Sequence, residues 1–523
     1  MMFAPNSRVW WIGLFLAVAV LGWSFSSDFA SPWTDQIDGN GACWSQSAHN
    51  TLRAGLLATA GVPSAFYFGT LPIPPDSFYT HHPALLSLML TGMFSMFGEK
   101  EWVARSLPVA CSLLSVVLLW LLVRDCANAR TASFCALAFA AMPMELRYGR
   151  MVNFEPVDLV WMLGAFLCLR AWEKTGRRRW RLLAFAALVL ALWTAWLGYL
   201  FVLVLCIHFI FSTQRRDLPL ASLLLLAMVA SLALLLWQVR HVHPGAWHEM
   251  TAALNYRMAR GGHAVPWRDW SVRMFAVLTM HIQPVSWLLG FAGAVITLKS
   301  EKGAPQRWLG WVASCFFALS AIYVVAFRNA SSVHDYASFY FTAPVAMMAG
   351  VALDSLCQRG EAQGSTVRTA VFFCAVAVLG MLVVSGERQA LALRRQFLIL
   401  SDENPEPPEL IPELGRAIRR WFGSEDVAVI CNFLPTYGPQ LYYYAQHELL
   451  GCVFTPEEWK QNIADPENAP LGGVIWLGAP GADEVLASLP TGTRERVTIR
   501  DIPFCFWRPL ETAAGSKEQV IPR

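Results

Sequence analysis

Two carboxylates, Asp35 and Asp38, stand in the polar stretch Trp33-Thr34-Asp35-Gln36-Ile37-Asp38-Gly39-Asn40, directly after the apolar run 9–25. Ionisable side chains at the mouth of a membrane helix are expensive to hold there and mark function by default. A carboxylate at the bilayer edge, partly desolvated by Trp33 and Trp44, suits a general base. The plainer reading of Asp35 is a cap for the helix that follows. Further reactive or charged groups recur downstream: His81-His82 ahead of Pro83, Arg147 to Glu155 ahead of Pro156, the loop 238–283, and His334-Asp335-Tyr336.

What must position these groups is a membrane bundle. Of 523 residues 55% are hydrophobic and 15% charged, and the apolar residues fall in long blocks, as in a polytopic membrane protein. The net charge of +3 gives no basis for a nucleic-acid partner. Blocks long enough to span lie near 9–25, 102–123, 131–146, 156–172, 181–196, 198–212, 218–237, 284–298, 307–327, 339–356 and 369–385. They predict about eleven transmembrane helices, with the weakest separation at Gly198-Tyr199. The N-terminus, with Arg8 before its apolar run, reads as a retained helix, with a cleaved signal peptide as the alternative.

Basic residues cluster in alternate loops: Arg124 and Arg130, the run from Arg170 to Arg181, Arg215-Arg216, Lys299 to Arg307, and Arg359 to Arg368. The positive-inside rule puts these in the cytoplasm, and the acidic loop, Arg147 to Glu155, 238–283, 328–336 and the C-terminal region on the outer side. One block, Pro83 to Gly98, would invert this order as a span. It is expected to lie flat outside, opened by Pro83 in its first turn, with a helical segment 41–60 as companion. Prolines 405, 407, 408 and 412 mark a linker. The division expected is a transmembrane part, 1–386, and an outer α/β domain, 387–523, with helices at 413–422, 437–447 and 482–489 and strands at 427–433, 473–477 and 503–507. Cys431, Cys452 and Cys505 in that domain leave open a disulfide or buried thiols.

The order of an acidic loop, a His-Pro segment, and a Gly98 to Arg105 segment with Pro108 resembles the GT-C glycosyltransferases of family 39, which include protein O-mannosyltransferases and aminoarabinose transferases. Arg147 to Pro156 and His334-Asp335-Tyr336 with Pro344 carry the resemblance further, to about residue 350. It implies a polyprenyl-phosphate sugar as donor and a lipid, glycan or protein acceptor outside the cytoplasmic membrane. The family's first loop usually reads Asp-Glu, with the Asp as base; here Asp35 matches, Gln36 replaces the Glu, and Asp38 is the next acid. Glu155 takes the place of the family's second acid. His81 and His82 stand where relatives hold a divalent metal ion or the lipid phosphate, and are otherwise interfacial histidines. His334 and Tyr336 fall in the region that the resemblance places against the donor.

Transfer from a phosphate-linked sugar needs a base for the acceptor hydroxyl and positive charge for the departing phosphate, but no acid for the leaving group. Direct attack inverts the anomeric centre. Cations on the outer side run against the positive-inside trend and are therefore informative: Arg105, Arg147, Arg150, Arg257, Arg260, Arg268, Arg273 and Arg328. Arg147, Arg150 and Arg328 lie nearest to the motif residues. No cofactor beyond the metal ion is implied. The competing class is a transporter or flippase of lipid-linked sugars, which predicts repeated halves and mid-membrane charges, neither of which the sequence displays. A reporter fused after Arg523 is expected to be active only outside the cytoplasm; activity confined to the cytoplasm overturns the orientation.

Overall fold

The computed structural model describes residues 10–212, 217–260, 264–301, 305–394, 409–423, 428–433, 438–447, 449–453, 455–464 and 471–509. Arg8, Arg215, Arg216, Lys302 and prolines 405, 407 and 408 lie outside them. The chain divides into two compact units. One comprises Met1–Ser31, Ser47–Ala65 and Pro75–Arg395. The other joins Gln396–Arg523 to two N-terminal pieces, Pro32–Gln46 and Phe66–Pro74, so the acidic loop belongs to the same compact unit as the C-terminal region.

The helices run in order α1 (Trp11–Ser26), α2 (Asp38–Ala54), α3 (Leu85–Phe97), α4 (Glu101–Cys126), α5 (Ala129–Ala140), α6 (Pro143–Tyr148), α7 (Phe154–Thr175) and α8 (Arg178–Thr194). There follow α9 (Trp196–Phe211), α10 (Leu218–Val242), α11 (Ala246–Arg257), α12 (Trp267–Ile282), α13 (Pro284–Lys299), α14 (Pro305–Ala326), α15 (Thr342–Ala362) and α16 (Ser365–Arg394). Among the described residues five helical stretches are long and apolar enough to cross a membrane, and the bent pair of α12 and α13 would make a sixth. Shorter apolar helices, α1, α3, α5 and α9, accompany them. The protein is a multi-pass helical membrane protein.

Local chemistry explains where these helices start, stop and bend. Asp217 caps α10 by accepting from the Leu220 amide at 3.0 Å, with Pro219 in the first turn. Asn128 does the same for α5 toward Thr131. The expected single span 131–146 is instead α5 and α6, because Pro143 has no amide to continue α5 and opens a new turn. The break expected at Gly198 falls at Ala195; Gly198 is needed because a Cβ there would sit 2.2 Å from the Ala191 carbonyl oxygen. Pro83 precedes α3 rather than entering its first turn, which begins at Leu85 after Ala84. The companion relation is realised through a 2.7 Å hydrogen bond between the Ser47 and Ser87 hydroxyls. The loop 238–283 is largely helical, as α11 and α12, and α12 meets α13 at 89°. Gln283 makes that bend at φ 68°, its amide donating to the Leu382 carbonyl at 3.1 Å and the Ser385 hydroxyl at 2.9 Å.

In the other unit, helix α17 (Leu410–Phe422) begins before Pro412, which sits in its first turn instead of a linker. Helices α18 (Gly438–Ala445), α19 (Pro456–Ala464) and α20 (Ala482–Ser488) alternate with β1 (Ala428–Cys431), β2 (Leu449–Cys452), β3 (Leu471–Trp476), β4 (Gly492–Ile499) and β5 (Ile502–Pro509). The sheet order is β2-β1-β3-β5-β4, with β1 parallel to β2 and β3, and β5 antiparallel to β3 and β4. Period-two alternation sends Phe504 and Phe506 to one face, with Leu414, Ile418 and Phe422 of α17, and Cys505 and Trp507 to the other, with Trp459 and Val485. Strands β2 and β4 and helix α19 go beyond the elements expected from the sequence; charged β4, with Arg494, Glu495 and Arg496, carries little apolar signal. Cys431 and Cys505 are buried free thiols.

In the membrane unit α13 and α15 approach closely, so that a Cβ on Gly293 would lie 1.8 Å from the Met348 carbonyl oxygen. Gly293→Ala must part the helices and is expected to cost about 1–3 kcal/mol. Gly92→Ala on α3, where a Cβ meets nothing within 4 Å among the described residues, is expected to be neutral or mildly stabilising. Thermal unfolding of the detergent-solubilised variants tests this, and equal midpoints would refute the tight contact.

Candidate active site

In the membrane unit, α7 carries Glu155 and Asp158 one turn apart, so both carboxylates share a helix face, and both are buried. The Tyr340 hydroxyl donates to Asp158 Oδ2 at 3.4 Å. Glu155 Oε2 and Asp158 Oδ1 are buried without a hydrogen-bond partner among the described residues. Buried polar atoms are ordinarily satisfied, so these oxygens mark a place that a polar ligand would complete.

Next to this pair the sequence-predicted histidines come together. His82 stacks on Phe154, the residue before Glu155, with ring centroids 4.4 Å apart and 13° between planes. Its other neighbour is Tyr79, at 5.9 Å and 4°. His81 meets Tyr79 edge-on at 5.1 Å, and its carbonyl accepts from Trp196 Nε1 at 2.6 Å. Arg257, at the end of α11, donates to the Tyr79 hydroxyl at 3.1 Å. Burial, and then the Arg257 charge, push the imidazoles of His81, His82 and His334 below their ordinary range, His82 most strongly. His334 stacks on Tyr336 at 5.0 Å, and Tyr336 meets Tyr148 at 5.9 Å.

This donor set does not fit a divalent metal ion. No group of three or more His, Cys, Asp or Glu side chains is gathered for a cation among the described residues. Arg257 acts on all three imidazoles in the sense that repels positive charge, opposed more weakly by Glu249 at His81 and Asp335 at His334. Buried His81 Nε2 and His82 Nδ1, without protein partners among the described residues, with Arg257 beside them, suit an anion such as phosphate.

The other expected phosphate ligands are placed differently. Arg105 donates to the Phe29 and Ser31 carbonyls, and Arg150 to that of Ser27 at 2.6 Å, so both tie down the exit of α1. Arg147 is buried with its guanidinium 5.6 Å from the Tyr148 ring, and Arg328 lies 4.1 Å over Trp267. Asp335 pairs with Arg273 at 3.3 Å and His281 at 3.5 Å. Sequence reasoning counts Arg257 among the outer cations without singling it out, since its helix lies in a stretch that reads as a loop. It places Tyr340 only as one of the aromatics lining an apolar groove, and it misses Tyr79 and Asp158, although an acid three residues after Glu155 inside an apolar helix is a signal in its own right.

Asp35 and Asp38 lie in the unit that holds the sheet. Asp38, the first residue of α2, turns back so that Oδ2 accepts from the Thr34 amide at 3.0 Å and the Asp35 amide at 2.9 Å. The Asp35 carbonyl accepts from the Gln440 side chain at 3.0 Å and from the Asp38 amide at 2.9 Å. The Trp33 amide donates to the Tyr444 hydroxyl at 2.7 Å, and Gly41 leaves room for the Trp33 ring, 2.6 Å from where a Cβ would be. The main chain on both sides of Asp35 is thus fixed.

Residues 81–238 match the family model described as dolichyl-phosphate-mannose-protein mannosyltransferase. No match is found among curated protein sequences. Among solved structures, ArnT from Cupriavidus metallidurans bound to undecaprenyl phosphate is similar at a TM-score of 0.60 and 15% identity, covering 96% of this chain and 98% of that one. Its apo state is similar at 0.63 and 16%, with the same coverage. The Archaeoglobus fulgidus oligosaccharyltransferase AglB, in complex with an inhibitory peptide and a dolichol-phosphate, is similar at 0.58 and 12%, covering 90% and 70%. The fold is that of the GT-C glycosyltransferases, as the resemblance in sequence implied.

An unfolded chain takes up a proton at His82 near pH 6.5, which the folded chain resists because burial and Arg257 hold the imidazole well below that value. The stability from keeping His82 neutral is complete above about pH 6.5 and is lost as pH falls below it. His82→Phe keeps a stacked ring and removes the proton, so its thermal midpoint is expected to drop less than the wild type's between about pH 7.5 and 5.5. Identical drops would mean that His82 titrates as an ordinary imidazole.

Proposed function

We propose that this GT-C chain is a membrane glycosyltransferase that moves a sugar from a polyprenyl-phosphate donor to a hydroxyl of a lipid, glycan or protein acceptor on the outer face of the cytoplasmic membrane. The observation that carries the reading is the anion-ready cluster of Arg257, His81, His82 and His334 within and beside the stretch that matches the family model. In this reading the donor phosphate lies against that cluster, where the Arg257 guanidinium offsets the charge that grows on it as the sugar leaves and the neutral imidazoles donate hydrogen bonds. Glu155 and Asp158, with open oxygens on one helix face, suit the hydroxyl groups of the sugar. Support for the prenyl chain comes from a cavity of about 430 Å³ in the membrane unit, lined by Trp287, Phe291, Phe317, Val345 and Met348. The Trp287 ring is 5.8 Å from Phe341, in the aromatic run that follows Tyr336. ArnT and AglB were each solved with a polyprenyl-type phosphate, which favours the same donor class here.

Asp35 is the base in this proposal. It takes the proton of the acceptor hydroxyl as that oxygen bonds to the anomeric carbon. The bond from that carbon to the phosphate oxygen breaks, its electron pair leaves with the phosphate, and the centre inverts. Asp38 serves as a positioning group: its Oδ2 is occupied by the Thr34 and Asp35 amides and holds the loop. Arg105 and Arg150, bound to carbonyls of residues 27–31, are positioning groups as well.

Membranes containing the protein, supplied with labelled polyprenyl-phosphate sugars, test the reading through what becomes labelled. Asp35→Asn is expected to lower transfer by about 10²–10⁴ while donor binding and folding persist. Arg257→Met is expected to weaken donor binding by about 2–5 kcal/mol, the scale on which truncating one member of a buried, hydrogen-bonded charge pair acts. Asp38→Asn is expected to act mainly on stability, by about 1 kcal/mol. Near-normal transfer in Asp35→Asn with abolition in Asp38→Asn would move the base to Asp38, and unchanged donor affinity in Arg257→Met would move the phosphate elsewhere.

A further inference from the structure

A second cleft, about 750 Å³, lies in the membrane unit between α1, α5 and α16 and uses none of the residues assigned above. Its walls are apolar for most of their length, and it ends at one mouth on Arg130, Glu361 and Arg368. Along α16 it extends from Arg368 to Val384, a rise of about 24 Å at 1.5 Å per residue, against a hydrocarbon core of about 30 Å. The apolar core of α16 is only 17% buried within the protein, so the helix offers this face to lipid. Gly380, toward the Val384 end, leaves the cleft open, since a Cβ there meets nothing within 4 Å among the described residues.

The mouth carries both signs of charge. Arg130 is held by Asp354 and Glu361, and Asp354 also accepts from Asn128 at 2.8 Å and Thr131 at 2.7 Å. Arg368 is exposed and makes no ion pair among the described residues, and the Glu361 side chain is 44% exposed. An occupant with acyl chains, a phosphate for Arg368 and a primary ammonium for Glu361 satisfies all three features at once. A polyprenyl phosphate lacks the ammonium, and a choline headgroup has no N–H to donate.

We propose that this cleft binds an ethanolamine phospholipid, with its chains along α16 and its headgroup bridging Arg368 and Glu361. Under the positive-inside reading these residues face the cytoplasmic leaflet. The proposal is independent of the transferase reading, because neither the cleft nor its mouth includes a residue given a role there. Native mass spectrometry of the purified protein, titrated separately with phosphatidylethanolamine, phosphatidylglycerol and phosphatidylcholine, tests it. The expected result is a retained phosphatidylethanolamine adduct, weaker adducts with the other two, and loss of the first in Arg368→Ala, Glu361→Gln and Gly380→Leu. Equal retention of the three lipids by the wild type overturns the proposal, as does an adduct that survives all three substitutions. The comparison of headgroups on the wild type decides the matter even where a substitution impairs folding.

Discussion

Much of this architecture depends on where the chain turns after its first helix, and two arginines fix that turn. Arg105 and Arg150, both buried, donate to main-chain carbonyls at Ser27, Phe29 and Ser31. Carbonyls beyond a helix end and a guanidinium away from water each carry a desolvation cost, and the bonds between them offset both. Either partner alone would be a liability. The same balance separates cations that look alike in sequence: Arg105 and Arg150 are bonded to backbone carbonyls, and Arg257 is bonded to a tyrosine hydroxyl and, together with burial, holds three nearby imidazoles below their ordinary range.

At the opposite charge pole the basic loops used to orient the chain also turn out to be knitted into the fold. Arg170 and Lys174 converge on Asp125, Arg181 reaches Asp217 at 2.9 Å, and Arg130 reaches Asp354. Asp217 is at once the partner of Arg181 and the cap of α10. A loop charge that orients a span during insertion can therefore fix the spacing of neighbouring helices afterwards, since a partly buried pair is screened less than an exposed one.

The apolar blocks were legible because a span of hydrophobic residues is a one-dimensional signal, and α4, α10 and α14 follow the blocks at 102–123, 218–237 and 307–327 closely. The helices inside 238–283 were not, because α11 and α12 mix charge with apolar residues and have no long apolar run. The His81-His82 pair was legible as a polar feature, but whether it suits a metal or a phosphate depends on Arg257, more than 170 positions away by sequence number. The kinship of the acidic loop with the C-terminal region was equally invisible. It rests on single bonds across the whole chain, Trp33 to Tyr444 and Asp35 to Gln440, that no periodicity announces.

Those long-range bonds bear on the choice between the two loop acids. An acceptor hydroxyl needs a carboxylate oxygen whose lone pairs point at it, and a rigid main chain is what keeps such an oxygen aimed. Asp38 directs Oδ2 at two amides of its own loop, so its geometry follows the backbone rather than a substrate. Asp35 has its amide and its carbonyl both engaged, by Asp38 and by Gln440, which fixes the base of the side chain. Gln36 puts a neutral side chain next to Asp35, while Asp38 supplies the anchor. Under the proposed function, the loop divides between its two acids two tasks that conflict within one: holding the backbone and meeting the substrate.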